Sequence, residues 1–229
     1  MDSIRAITFD LDDTLWDNRP VLMAAEQQVY DWLLRHYPRI GKRYTLEDMR
    51  SLRIELYRQD PKLRHNISEL RKTSLRQAAE SVGYDPALAE SAFAVFIEAR
   101  HRVELFDDVT PALRRLKAAG YQLGSVTNGN ADVRRLGIAQ LFDFSLTAES
   151  VGRAKPDPLM FEEACRRSQV APAQLAHVGD EVDTDLAGGQ AAGVTVIWMN
   201  RHNQPRAPGI TPHAEVRDMY ELLTLFGLD

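Results

Sequence analysis

The chain has 229 residues, of which 44% are hydrophobic and 27% charged, so it can bury a core of ordinary size without a disulfide or a structural metal. Its single cysteine, Cys165, excludes an internal disulfide framework and any multi-cysteine metal site. A net charge of −5 argues against a dedicated nucleic-acid binder, and no apolar run approaches the ~20 residues that span a bilayer.

The N-terminus, Met1 to Arg5, lacks a basic segment followed by a long apolar one, so a cytoplasmic protein is expected, with neither nucleic acid nor membrane as partner. Ile4 to Phe9 is short and β-prone and runs into aspartates, which predicts a buried strand feeding a polar loop. From Pro20 to Val103 the pattern becomes helical: Val21, Leu22, Ala25, Val29, Trp32 and Leu33 recur at spacings of one, three and four. Further helices are predicted from Leu46, Met49, Leu52, Ile54 and Leu56, then over 67–82 and 87–102, with Gly83 and Pro86 between the last two. Asp17 to Glu104 carries 15 basic and 13 acidic side chains, and Arg39 to Arg76 is its most basic stretch, with 11 against 5. Solvated helix faces explain such a stretch; a surface attracting anions is the sharper reading.

Strands and helices then alternate. Thr110-Pro111 reads as a helix start and Gly120 as its stop, followed by a strand from Tyr121 to Val126 and another from Phe142 to Thr147. A helix is predicted from Asp157-Pro158 to Ser168 and a strand from Leu175 to Val178. After them come a helix from Asp183 to Ala192 and a strand from Val194 to Trp198. The loop from Arg201 to Pro212, with three prolines, is expected to be irregular. This order predicts an α/β fold, a Rossmann-like parallel sheet with helices on both faces. Residues 1–17 and 105–229 would form that core, and 18–104 an all-helical insertion between strands one and two.

The polar residues gather at the predicted carboxyl ends of strands, where ligands bind in such sheets. Strand one ends in Asp10, Asp12, Asp13 and Thr14, strand two in Thr127 and Asn128, and strand four in Asp180, with Glu181, Asp183 and Asp185 behind it; Lys155 follows strand three. Carboxylates with carbonyls and water suit a hard cation such as Mg²⁺, and a lysine, a hydroxyl and turn amides at Asn128 and Gly129 suit an oxyanion. An EF-hand loop from Asp10 is excluded, because its sixth position would be Leu15 and its twelfth Val21. Capping explains Asp157 or Asp183 equally well; Cys165 reads as a packed thiol and His177 as a buried or capping histidine.

Phe9-Asp10-Leu11-Asp12-Asp13-Thr14-Leu15 resembles the first motif of the haloacid dehalogenase-like hydrolases. Ser125 to Gly129 resembles their second, Lys155-Pro156-Asp157-Pro158 their third, and His177 to Asp185 their fourth, with the insertion where that family carries a helical cap. The resemblance implies a phosphatase working through an aspartyl-phosphate, with Asp10 as nucleophile and Asp12 as general acid and base. Thr127, Asn128, Gly129 and Lys155 would hold the phosphate. It further implies Mg²⁺ on the Asp10 carboxylate, the Asp12 carbonyl and Asp180, with Asp185 orienting Lys155 or a metal-bound water. Asp12 speaks against the dehalogenases, whose halide leaving group needs no proton; a sugar phosphomutase or a non-catalytic phosphate binder stays open.

The expected substrate is a small phosphorylated metabolite, and the protein a monomer or small homo-oligomer. Thr14 to Pro20 and Thr127 to Ala131 most resemble bacterial phosphatases acting on FMN and on the phosphorylated pyrimidine precursor of riboflavin. Phosphoglycolate, other sugar phosphates and nucleoside monophosphates are the alternatives. Trp16, Asn18 and Arg19, next to the first motif, are candidate substrate contacts.

Overall fold

Four consecutive buried residues, Ala6–Phe9, form β1. The computed structural model of the chain, which describes residues 1–205 and 209–228, places β1 inside a six-stranded sheet. The other strands are β2 (Gln122–Thr127), β3 (Phe144–Thr147), β4 (Leu175–Gly179), β5 (Thr195–Met199) and β6 (Ala214–Val216), in the order β3-β2-β1-β4-β5-β6. Every neighbouring pair is parallel, so the Rossmann-like α/β arrangement expected from the alternating pattern is present. Phe9 lies opposite Ser125 on one side and Val178 on the other. That register brings the residues following β1, β2 and β4 to one edge, at the point where strand order reverses.

By internal packing the chain divides into two units, Met1–Asp17 with Glu104–Asp229, and Asn18–Val103. Glu104, expected in the insertion, falls with the sheet. The second unit consists of α1 (Asn18–His36), α2 (Pro38–Arg43), α3 (Leu46–Gln59), α4 (Ile67–Ser81) and α5 (Leu88–Arg100). Its own core includes Ala25, Val29, Leu33, Met49, Leu75, Ala78 and Phe96. Thr45 and Asp48 close a reciprocal capping box at the start of α3, which satisfies amides the helix leaves unpaired. Of the apolar residues that predicted this helix, Met49 and Leu56 are buried while Ile54 is 48% exposed.

The first unit adds α6 (Val109–Ala118), α7 (Ala148–Val151), α8 (Leu159–Ser168), α9 (Ala187–Ala191) and α10 (Met219–Leu225). Ala6, Val126, Leu146, Phe161, Leu175, Val196 and Trp198 share its core. Two local readings are corrected and two elements are added. α6 starts one residue before Thr110, after Asp108, whose carboxylate is tied to Arg201 and to the Met219 amide instead of capping its own helix. The helix expected from Asp183 opens as a wide π turn, Val182–Leu186, before α9. β6 and α10 were not anticipated; β6 is three residues long, too short to show a period, and α10 depends on Asp218, which accepts from the Tyr220 and Glu221 amides. Residues 206–208 of the proline-bearing loop lie outside the described residues. No helix among the described residues is long and apolar enough to cross a membrane.

Candidate active site

Asp10 follows β1 directly, and its amide donates to the Val178 carbonyl at 2.9 Å, so the carboxylate leaves the sheet from a fixed backbone. Lys155, 4% exposed, reaches it: Nζ lies 2.7 Å from Asp10 Oδ1, 2.8 Å from the Val126 carbonyl and 2.5 Å from Asp185 Oδ1. Three oxygens therefore meet the three ammonium donors. The Lys155–Pro156 peptide is cis.

Asp185 is almost fully buried. His177 Nε2 lies 3.1 Å from its Oδ1, and the Glu181 amide donates to Oδ2 at 3.1 Å. The other ring nitrogen of His177, Nδ1, lies 2.9 Å from Thr8 Oγ1, and the ring stands edge-on to Phe161. His177 is thus the buried histidine expected, and it orients Asp185 from behind. Gly179 makes this possible: a Cβ there would stand 2.3 Å from the Asp185 carboxyl carbon, closer than any side chain tolerates.

The second motif divides its labour. The Asn128 side chain clamps the Lys155 backbone, accepting from its amide at 2.7 Å and donating to its carbonyl at 2.9 Å. The Gly129 amide, expected as an anion donor, donates to Thr127 Oγ1 at 2.9 Å, a local turn of the kind hydroxyl side chains favour. Because that contact uses a lone pair of Thr127, its hydroxyl hydrogen remains to be donated elsewhere.

Asp180, after β4, accepts from Thr14 Oγ1 at 3.1 Å, and its own carbonyl accepts from Trp198 Nε1 at 2.9 Å. Carboxylate oxygens of Asp10, Asp180 and Asp185 all lie within 4.8 Å of one another. Burial, reinforced by Asp185 and Asp13, pushes the Asp180 carboxyl up to about 7. Burial also raises Asp10 well above the carboxylate range, against the pull of Lys155. Asp185 is held below that range: Lys155 and His177 outweigh the cost of its burial. The cost of crowding charge therefore falls on Asp10 and Asp180.

Asp12 is half-buried in the loop after β1, where Asp13 adopts a left-handed φ of 59° and Asp12 bridges to Trp16. Trp16 is fully buried, so it presents no exposed ring on which a substrate could stack; Asn18 is half-buried and Arg19 exposed. Asp157 accepts from the Leu159 amide at 3.0 Å, the capping alternative, and Asp183 is exposed. Cys165 is buried, and burial raises its thiol. One residue had no local sequence signal. Arg201 donates through Nε to the Thr14 carbonyl at 3.0 Å and through both terminal nitrogens to Asp108, bracing the Asp12–Thr14 loop from 187 positions away.

The model of the haloacid dehalogenase-like hydrolases matches residues 4–193. The chain belongs to that family. Among haloacid dehalogenase-like proteins it is 31% identical over 230 residues to the 5-amino-6-(5-phospho-D-ribitylamino)uracil phosphatase YigB of Escherichia coli, covering 97% of this chain and 96% of that one. It is 32% identical over 157 residues to the phosphoserine phosphatase of Thermus thermophilus, 66% of this chain and 63% of the relative. A solved structure, the 2-haloacid dehalogenase from Pseudomonas syringae pv. Tomato DC3000, superposes with a TM-score of 0.91 at 42% identity, covering 98% of both chains. The chain is therefore a hydrolase, and its curated relatives support a phosphatase.

Proposed function

We propose that the chain is a Mg²⁺-dependent phosphomonoester hydrolase that works through an aspartyl-phosphate on Asp10. The observation that carries this reading is the clustering of three carboxylates, Asp10, Asp180 and Asp185, around a place where one ammonium, Lys155, pairs with only two of them, Asp10 and Asp185. That leaves excess negative charge in a buried place, and an oxygen-only donor set suits a hard divalent cation. Asp10 and Asp180 each keep one carboxylate oxygen clear of the contacts described above, so these two, with the Asp12 carbonyl, would hold the ion. Both Asp185 oxygens are engaged, which suits a residue that orients Lys155. When bound, Mg²⁺ supplies charge neutralisation for the phosphoryl oxygens.

In this reading Asp10 attacks phosphorus, forming an O–P bond as the ester oxygen leaves and takes a proton from Asp12. Water then attacks the same phosphorus, Asp12 recovers its proton, and Asp10 is released with inorganic phosphate. Thr127 donates its hydroxyl hydrogen to a phosphoryl oxygen, Lys155 supplies a fixed positive charge, and Asn128 holds Lys155 in place. The helical unit Asn18–Val103 is, in the same reading, the family's cap. For the substrate we favour the phosphorylated pyrimidine precursor of riboflavin, on the strength of the near full-length likeness to YigB, with FMN beside it on the resemblance of Thr14 to Pro20 and Thr127 to Ala131 alone.

The likeness to a 2-haloacid dehalogenase makes halide displacement the second reading. Halide leaves without a proton, so that reaction has no use for a general acid at Asp12 or for a cation to balance the clustered carboxylates, whereas phosphoryl transfer uses both. Release of phosphate from these two esters, phosphoserine and para-nitrophenyl phosphate, assayed beside chloride release from 2-chloropropionate, separates the readings. Phosphate release that EDTA abolishes and Mg²⁺ restores is the expected result. Chloride release without phosphate release overturns it.

Asp12→Asn is expected to slow the first step on an alkyl phosphate by about 10²–10⁴-fold, the usual worth of a positioned acid. An aryl ester, whose leaving group needs little protonation, should lose much less in single-turnover assays. Equal losses on both esters would remove Asp12 from the acid's role.

The raised carboxyl of Asp180 gives the metal a pH signature. A group raised to about 7 in the folded state stays protonated there between pH 4 and 7, where the unfolded chain has already released its proton. The metal-free fold therefore loses stability as pH rises through that window, and Mg²⁺ must displace the proton to bind. The rise in melting temperature on adding Mg²⁺ should be larger at pH 8 than at pH 5.5, with protons released on binding near pH 6. A pH-independent rise would contradict this assignment.

A further inference from the structure

Glu26, on α1, is 6% exposed, and three guanidinium groups converge on it. Arg50 Nε lies 2.6 Å from Oε2; Arg53 Nη2 contacts Oε1, which Arg71 Nη2 also approaches at 3.3 Å. Arg50 and Arg53 are three apart on α3 and so share a face, while Arg71 comes from α4 with its guanidinium 3.6 Å above the Phe96 ring. One carboxylate cannot balance three arginines, and Glu47, the further partner of Arg50, is 73% exposed at the rim.

The imbalance has consequences. Burial alone would raise the Glu26 carboxyl, yet the arginines hold it below the usual range. Burial, with Arg53 beside it, pushes Arg71 down to about 9. The fork donors far outnumber the oxygens they meet, and they line a cavity with Tyr30, Met49 and Ser74. Its free volume of about 20 Å³ holds little more than one water, so an oxyanion would enter by displacing the Glu26 carboxylate from the forks and not by filling empty space.

We infer that Arg50, Arg53 and Arg71 form an oxyanion site within the helical unit, taking a small dianion of the phosphate class. Three positive charges against Glu26 leave two to be neutralised, which matches a phosphate dianion, and the planar forks suit its oxygens. Glu26 then acts as the resident counter-charge that keeps the forks assembled and competes with the ligand. The inference does not depend on the reaction at Asp10.

The test is a titration of the full chain with inorganic phosphate, in EDTA and at constant ionic strength, followed by the NMR signals of the arginine Nε–H groups. Signals of Arg50, Arg53 and Arg71 should shift and saturate together. Arg53→Gln should weaken that saturation at least tenfold, while Glu26→Gln, which removes the competitor, should tighten it severalfold. Far-UV circular dichroism checks that each variant is folded; should Arg53→Gln not fold, Arg50→Gln serves in its place. Loss of Glu26 lowers stability on either reading, but a cluster that only staples α1 to α3 and α4 predicts no gain in phosphate affinity for Glu26→Gln. That result, unmoved arginine signals up to tens of millimolar phosphate, or equal shifts from sodium chloride alone would overturn the proposal.

Discussion

Asp10→Asn is expected to lower turnover of any phosphate ester by about 10³-fold or more, the scale on which removing a covalent nucleophile acts. The amide matches the carboxylate in volume, so the backbone bond from Asp10 to Val178 and the packing of β1 stay as they are. Lys155 keeps two of its three oxygen partners, Asp185 and the Val126 carbonyl. The lost ion pair is offset by relief of a strained charge, since burial already raises Asp10 well above the carboxylate range. The melting temperature of the metal-free variant should consequently stay level or rise while activity disappears. Steady-state assays on para-nitrophenyl phosphate beside thermal melts test both halves at once. A folded variant retaining most of its Mg²⁺-dependent activity would exclude Asp10 as nucleophile, and an unfolded one would show that the carboxylate serves the fold.

What could be read from the chain alone was whatever repeats locally. Short apolar runs ending in Asp10, Thr127 and Asp180 announced three strand ends, and parallel pairing carries those ends to one edge without further information. The run of amphipathic spacing between Pro20 and Val103 likewise announced helices, because their buried faces recur within a turn or two. What stayed hidden was contact between distant residues that have no period of their own. His177 and Asp185 lie only eight apart, but their meeting depends on a π turn and on the missing Cβ of Gly179. Arg201 braces Thr14 from 187 positions away. Asn128 reads as a phosphate ligand through its turn amide, and only the fold reveals that its side chain clamps Lys155. The basic stretch from Arg39 to Arg76 was visible as composition, whereas its focus on Glu26 needed three helices to be packed.

Lys155→Met should produce the largest loss of stability of any single change at the sheet edge. Methionine approximates the length of the lysine stem and removes the charge, leaving Asp10 and Asp185 buried without their shared cation. Breaking a buried pair in this way costs about 3–5 kcal/mol, and at about 2–4 °C per kcal/mol for a chain of this size the melting temperature should fall by about 10 °C. The pH dependence follows from Asp185. Its carboxyl is depressed in the native fold, so it contributes stability above the ordinary carboxylate range and loses it only in strong acid. Without Lys155 the buried carboxyls rise instead, and the variant regains stability as pH falls towards 5, because protonation removes the unpaired charge. Melts at pH 8 and pH 5.5 should therefore show a large deficit at the higher pH and a smaller one at the lower. Activity should be lost at both, since the fixed positive charge beside Asp10 is gone. A deficit that does not narrow in acid would mean that the ammonium acts through packing alone, and that the charges of Asp10 and Asp185 are balanced by other groups.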